Sequence, residues 1–246
     1  MRRYALRDDQ WERIEGSLPG REGHVGVTAR DNRLFVEAVI YRFRSGSAWR
    51  DLPERFGSWK AIHTRFSRWA ERGVWARIFA ELAADADNEY AMIDSTIVRA
   101  HQHSAGAKKS GKSGHWAQPR RVSTKIHAMV DPIGFHLTGG ETHDLVGADV
   151  LIPDMEADAL LADKAYDATD RVIIPLIDAG KTVVIPPKSN WITKRDFDKD
   201  LYKARHLIEN FFCKLKSFRA IATRYDKTAR NFLSGVHLAA IVIWLN

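Results

Sequence analysis

Apolar positions in the first third of the chain recur at helical spacing. Asp8 and Asp9 open a segment whose face carries Trp11, Ile14 and Leu18, and Pro19-Gly20 closes it. Beyond a Gly-rich loop over 21–27, Thr28 to Phe43 presents Leu34, Phe35, Ala38, Val39 and Phe43 as one stripe, broken by Ser45-Gly46-Ser47. A short helix is expected over 48–56. Gly57 reads as a turn and Ser58 as the cap of a further helix, in which Trp59, Ile62, Phe66 and Trp69 step by 3, 4 and 3. Val74 to Ala84 adds a last helix with Trp75, Ile78, Phe79 and Leu82, and the acidic stretch 85–89 reads as a linker.

From Tyr90 the period changes. Tyr90 to Ile93, continued by Thr96 to Val98, fits a buried strand with Asp94 inside it. Lys125–Val130 and Phe135–Gly139 flank Asp131-Pro132-Ile133-Gly134, which predicts an antiparallel hairpin. Ala148 to Met155 reads as a helix that Pro153 kinks or shortens. Ala159 to Ala162 is a short strand ending at Asp163, and Asp167 to Ala179 is an amphipathic helix stopped by Gly180. Thr182 to Ile185 is a fifth strand, halted by Pro186-Pro187. Leu201 to Phe218 has helical periodicity, and Thr228 to Leu245 is apolar nearly all round, the mark of a buried helix. The pattern predicts an all-α domain over 1–86 and an α/β domain over 87–246, with a mixed five-stranded sheet flanked by helices.

Composition adds a partner. The chain of 246 residues is 45% hydrophobic and 28% charged, with a net charge of +7 and a pI near 9.5, which favours nucleic acid or an anionic membrane surface. The single cysteine, Cys213, excludes a disulfide framework and a CxxC zinc site, and its place beside an apolar helix face predicts a buried, inert thiol. Residues 1–10 hold no apolar core of a signal peptide, and the longest apolar run, Leu238 to Leu245, is eight residues, too short to span a bilayer. A soluble cytoplasmic protein, with no membrane association, is the expectation.

Charge is unevenly spread. Ser95 to Val130 contains no Asp or Glu but holds Arg99, Lys108, Lys109, Lys112, Arg120, Arg121 and Lys125, with His101, His103, His115 and His127. A flexible basic loop of this kind suits a clamp on a phosphate backbone, or else is a solvated loop. His101 and His103 lack a third metal ligand at familiar spacing. Over 48–72, a short helix, a Gly turn and a second helix with a basic outer face form a helix-turn-helix pattern. Trp59 and Trp69 would anchor its back face, leaving Lys60, Thr64, Arg65 and Arg68 for phosphates and base edges; a helical bundle with a solvated face is the alternative.

Candidate chemistry lies in three acids. At about 100° per residue, Tyr202, Arg205, Glu209 and Lys216 fall within roughly 60° of one another. Leu207, Ile208, Phe211, Leu215 and Phe218 fall opposite. Arg205 and Glu209 alone would be i, i+4 surface support. An acid inside an apolar strand (Asp94), one at a strand end (Asp163) and Glu209 would repel if brought together, unless cations bridge them. Two divalent ions about 4 Å apart do so and also activate an attacking oxygen and stabilise a leaving one in phosphoryl transfer. Mg²⁺ suits such all-oxygen ligands, and Mn²⁺ is expected to substitute.

At these residues the chain resembles the DDE transposases of bacterial insertion sequences. Tyr202, two residues, Arg205, three residues, Glu209, six residues and Lys216 match one subgroup's C-terminal signature. Ile93-Asp94-Ser95-Thr96 resembles the first-acid motif, and Leu161 to Asp167 the second. Trp49-Arg50-Asp51-Leu52-Pro53, Phe56-Gly57 and Arg224-Tyr225-Asp226-Lys227 add to the likeness. The large β insertion that some relatives carry between the second and third acids has no counterpart here.

The resemblance implies a ribonuclease H-like catalytic domain with Asp94, Asp163 and Glu209 as metal ligands. Tyr202, Arg205 and Lys216 would contact DNA phosphates near the cut, with Arg205 also orienting Glu209. Lys108, Lys109, Lys112, Arg120, Arg121 and Lys188 are further candidate DNA contacts. The implied reaction hydrolyses double-stranded DNA at the terminal inverted repeats and joins the 3′-hydroxyls to target DNA. A homodimer or higher synaptic assembly would act without a small-molecule cofactor, in a bacterial, nucleoid-associated setting. A metal-dependent nuclease of the same fold and a non-catalytic DNA-binding repressor are the alternatives.

Overall fold

The computed structural model describes residues 4–21, 29–84, 89–102, 104, 123–130, 134–191 and 194–246. The predicted contacts Lys108, Lys109, Lys112, Arg120 and Arg121 lie outside them, as do His103 and His115. In chain order the helices are α1 (Asp8–Glu15), α2 (Asn32–Ser45), α3 (Trp59–Glu71), α4 (Val74–Ala83), α5 (Asp144–Leu151), α6 (Ile174–Asp178), α7 (Lys199–Tyr202), α8 (His206–Lys216), α9 (Arg219–Ala222) and α10 (Ala229–Trp244). The strands used below are β1 (Tyr90–Ala100), β2 (Ser123–Val130), β3 (Gly134–Gly139), β4 (Ala159–Ala162) and β5 (Thr182–Val184). The chain forms two compact units. One comprises Met1–Leu82, His101–Ser113 and Lys214–Asn246, the other Ala83–Ala100 and Gly114–Cys213.

The first unit is helical and is built around α10, whose Phe232, Val236, Leu238, Ala239 and Ile241 are all buried. Phe43 of α2, Phe66 of α3 and Trp75 and Phe79 of α4 complete the core. Gly235 lets α2 come close, since a Cβ there would stand 2.1 Å from the Phe43 ring. The sequence boundary at 86/87 separates α10 from the N-terminal helices; the compact units group them. An all-round apolar helix needs apolar partners, and the stripes of α2, α3 and α4 supply them.

Two local expectations are corrected in this unit. The segment 48–56 is not an α-helix but two 3₁₀ turns, Trp49–Asp51 and Glu54–Phe56. Pro53 separates them: it pushes Leu52 to an extended backbone, φ −62° and ψ 134°. The Ser58 side chain makes no capping bond to α3.

The second unit is a sheet ordered β3-β2-β1-β4-β5. β1 pairs antiparallel with β2 and parallel with β4; β2–β3 is antiparallel and β4–β5 parallel. Within this unit it is the mixed five-stranded sheet read from the sequence; a sixth, two-residue strand among the described residues is Thr223–Arg224. Ala91 and Ile93 of β1 and Leu160 and Ala162 of β4 pack with Leu145, Ala148 and Leu151 of α5 and with Val172, Ile173 and Leu176. Gly147 permits the approach of α5, because a Cβ there would lie 2.3 Å from the His127 ring.

Boundaries shift here for local reasons. α5 starts at Asp144, capped by the His143 ring, and ends before Pro153. The helix expected over 167–179 opens as a π segment, Thr169–Ile173, with Pro175 near the start of the α-helical part. Proline has no N–H, and its ring clashes with the carbonyl four residues back, so the preceding turn widens; Ile173 N–H reaches Ala168 O at 3.1 Å. The stretch 201–218 is not one helix. α7 begins under the Asp198 cap, a 3₁₀ turn follows at Lys203–Arg205, and α8 starts at His206. The His206 Nδ1–H donates to Lys203 O at 2.7 Å at this break. Within 206–215 the buried side chains are Ile208, Phe212 and Leu215, whereas Leu207 is 43% exposed. Cys213, one residue and about 100° beyond Phe212, is exposed rather than buried.

Candidate active site

Parallel pairing sets the site. Ile93 of β1 lies opposite Ala162 of β4. The next residue on each strand is an acid, so Asp94 and Asp163 leave neighbouring strands at one level, on strands spaced about 5 Å apart. Asp163 is the cap of a 3₁₀ turn, its Oδ1 accepting Ala165 N–H at 2.8 Å. Asp94 Oδ1 accepts Ser95 N–H at 2.7 Å and its Oδ2 accepts Arg205 Nη1 at 3.2 Å. Arg205 reaches the other way through Nη2 to Glu209 Oε1. One guanidinium therefore bridges the first and third acids.

Electrostatics follow from burial and this bridge. Burial pushes the Asp94 carboxyl above the usual carboxylate range; the Ser95 N–H and Arg205 pull it down, and Asp163 and Asp144 push it further up. Burial disfavours the Arg205 charge, but Tyr202, Asp94, Glu209 and Asp163 outweigh it and raise its pKa. Tyr202 lies 5.9 Å beneath the Arg205 guanidinium and packs edge-on against Phe197 at 5.5 Å.

A fourth acid, Asp144, was missed in the sequence. Its Oδ1 accepts the Ser95 hydroxyl and, at 3.1 Å, Lys125 Nζ, which also donates to Thr142 O at 2.6 Å. Burial works against its ionisation, but the Ser95 and Lys125 hydrogen bonds lower its pKa below the ordinary value. The signal was Lys125, a cation on an apolar strand, which needs an acid nearby. Tyr166, fully buried, also belongs here: burial raises its pKa, and the charges of Asp144, Asp94 and Asp163 raise it further.

The other predicted contacts are dispersed. Lys60, Thr64 and Arg68 are exposed on α3. Arg65 lies instead over the rings of Phe35 at 4.2 Å and Trp69 at 4.7 Å and donates to Asn32 Oδ1. Lys216 ends α8 and is exposed. Lys188 Nζ donates to Asp167 O at 2.9 Å, and the Lys188 N–H to Asp167 Oδ2 at 2.8 Å. Asp167, 2% exposed, also pairs with Arg195.

Among the described residues no three His, Cys, Asp or Glu side chains converge closely enough to hold a metal. The donor chemistry nevertheless suits a hard divalent cation, because Asp94 and Asp163 offer carboxylate oxygens at one level. Glu209 is drawn toward Arg205.

Comparison with known proteins decides the family. Residues 87–245 match the family described as "Transposase DDE domain", more than half of the chain. The chain belongs to the DDE transposase family. Residues 6–79 match a second family, "Putative transposase of IS4/5 family". A Brucella ovis protein, "Putative transposase for insertion sequence element IS6501", is 38% identical over 131 residues, 50% of this chain and 99% of that protein. "Uncharacterized protein y4sN" of Sinorhizobium fredii is 53% identical over 105 residues, 43% of this chain and 84% of that protein. The "Insertion element IS402 uncharacterized 16.2 kDa protein" of Burkholderia cepacia is 31% identical over 112 residues, 41% of this chain and 76% of that protein. No solved structure matches. DDE transposase domains depend on divalent metal, and this chain's mixed sheet and helical N-terminal region agree with the ribonuclease H-like expectation. No helix among the described residues is long and apolar enough to cross a membrane.

Proposed function

We propose that this transposase cleaves insertion-sequence ends by phosphodiester hydrolysis and joins the resulting 3′-hydroxyls to target DNA. The observation that supports it best is the level placement of Asp94 and Asp163 on parallel strands, with Glu209 tied to Asp94 through Arg205. Asp94 and Asp163 would hold divalent metal, Mg²⁺ with Mn²⁺ as substitute, and Glu209 would join them when Arg205 releases it. The bound cations would supply activation of the attacking oxygen and stabilisation of the leaving one. Arg205 lies between Asp94 and Glu209, so its charge offsets the repulsion between them. When Arg205 turns from Glu209 toward a phosphate, it exchanges one anion for another. Asp144 and Lys125 fix Ser95, and Ser95 N–H orients the Asp94 carboxylate. Lys60, Thr64 and Arg68 of α3 would bind the element ends, as would Tyr202 and Lys216 near the cut, in a dimer or larger assembly on DNA.

The test uses purified protein, Mg²⁺, labelled element ends and a target plasmid. Joined products are expected from the native chain. Asp94→Asn, Asp163→Asn and Glu209→Gln should each reduce cleavage by 100-fold or more, while end binding persists. Cleavage without joining would make the protein a nuclease; binding without either would make it a repressor. Strand transfer retained by any single variant would remove that residue from the metal site.

A further inference from the structure

The helical unit contains a half-open cleft of about 610 Å³ that the catalytic reading does not use. Its lining is aromatic and basic. Trp49 and His63 meet edge to face at 5.2 Å. The Arg42 guanidinium covers the Trp49 ring at 4.9 Å and pairs with Asp226 at 2.9 Å, both side chains being buried. That pair cancels its own charge. The remaining charged lining residues are Arg50 and Lys227, both exposed, so the cleft carries a surplus of positive charge.

Two further rings stand at the cleft. Tyr225 stacks one face on His101 at 4.7 Å and is 38% exposed. Trp59, half-buried, opens α3. Trp59 and His63 are one helical turn apart, and Lys60, Thr64 and Arg68 form the adjoining ridge of the same helix. The aromatic cleft thus borders the exposed basic face of α3. Burial keeps His63 below its ordinary pKa; Asp226 acts against this and Arg42 adds to it. A face that only needed solubility would not line a cleft with rings. An apolar ligand would not call for two surplus cations. Planar rings with adjacent cations suit a base joined to a phosphate, since every base has a stacking face and every nucleotide an anion.

We propose that this cleft takes one unpaired nucleotide of a DNA strand, its base against Trp59 and Tyr225 and its phosphate on Arg50 and Lys227. The inference rests on the chain binding DNA but not on the metal-binding acids. The test is equilibrium binding of the full chain at fixed salt to two duplexes. They are identical except that one carries a single bulged 2-aminopurine. The bulged duplex should bind at least fivefold more tightly, with a change in 2-aminopurine fluorescence. Trp59→Ala and Tyr225→Ala should each weaken bulged-duplex binding about fivefold or more beyond any loss of paired-duplex binding, so that the preference for the bulge disappears. Trp59→Phe and Tyr225→Phe should keep the preference, which separates loss of stacking from loss of fold. Equal affinity for the two duplexes, or a preference that survives both alanine variants, overturns the proposal. So does binding of free dAMP in the cleft without any preference for the bulge. Failure to bind either duplex would instead overturn the reading of the chain as a DNA-binding protein.

Discussion

Arg205 is the residue that ties the candidate site together. Its guanidinium bonds to both Asp94 and Glu209, and under the proposed function a divalent cation would compete with it for those acids. Arg205→Ala should therefore lower the melting temperature of the metal-free protein and enlarge the stabilisation that added Mg²⁺ gives. A thermal melt with and without Mg²⁺ measures both; an Mg²⁺ shift no larger than that of the native chain would argue against competition at the acids. His127 sets a second residue-scale expectation. Burial lowers its pKa from 6.5 to about 4, with Thr138 Oγ1 2.8 Å from its Nε2. Between those values the unfolded chain binds a proton that the folded chain refuses, so stability falls as pH drops from about 6.5 toward 4, by on the order of 1–3 kcal/mol. His237 is shifted in the same direction, also to about 4. In urea unfolding across this range, His127→Gln should flatten part of the pH dependence and leave the share due to His237. Asp94, Asp163 and Glu209 stand out in the sequence as candidate acids, whereas Asp144 does not: its partners Ser95 and Lys125 are distant in the chain and meet it only through the pairing of β1 with β2.

At the scale of elements, the strands were easier to read than the helices. Strand signals come from short apolar runs and turn residues, and β1 to β5 fall close to those runs. Helix periodicity over 167–179 and 201–218 was correct in kind, but it does not register a proline near a helix start or a histidine that captures a carbonyl. The periodicity also put Leu207 on the apolar stripe and left Phe212 off it, whereas Leu207 is exposed and Phe212 buried. The helix expected over 48–56 fails for a comparable reason, Pro53. Close packing between α2 and α10 provides a direct check. Gly235→Ala places a methyl against the Phe43 ring, where a Cβ would be 2.1 Å away, and should reduce the unfolding free energy by about 1–3 kcal/mol. Urea denaturation with an unchanged m-value would register it; a native-like midpoint would mean that the ring moves aside freely.

For the whole molecule, a net charge of +7 makes DNA affinity a function of salt. The structure narrows which cations matter on α3, since Arg65 is packed over rings while Lys60 and Arg68 are exposed. Replacing Lys60 and Arg68 together by Ala should make the slope of log affinity against log salt shallower by about 2. Binding measured at several salt concentrations gives the slope, and an unchanged slope would remove this helix from the DNA contact. The division of the molecule was the part least visible in the chain. Family similarity changes over between residues 79 and 87, but the compact helical unit draws on Lys214–Asn246 as well as on the N-terminal helices. Linear patterning has no means of recording which distant apolar stripe an apolar helix will join.

That return of the chain affects how the protein is made. α2, α3 and α4 leave the ribosome with Phe43, Phe66 and Phe79 ready for a partner that has not been synthesised. From the end of α4 to the start of α10 translation needs roughly 7–30 s at ~5–20 residues per second. For that interval the nascent helices expose the surface that α10 will cover. Early release, whether by a premature stop or a frameshift, leaves it bare for good. Ribosome-bound chains stalled before Thr228 should therefore recruit a holdase chaperone that the completed chain sheds.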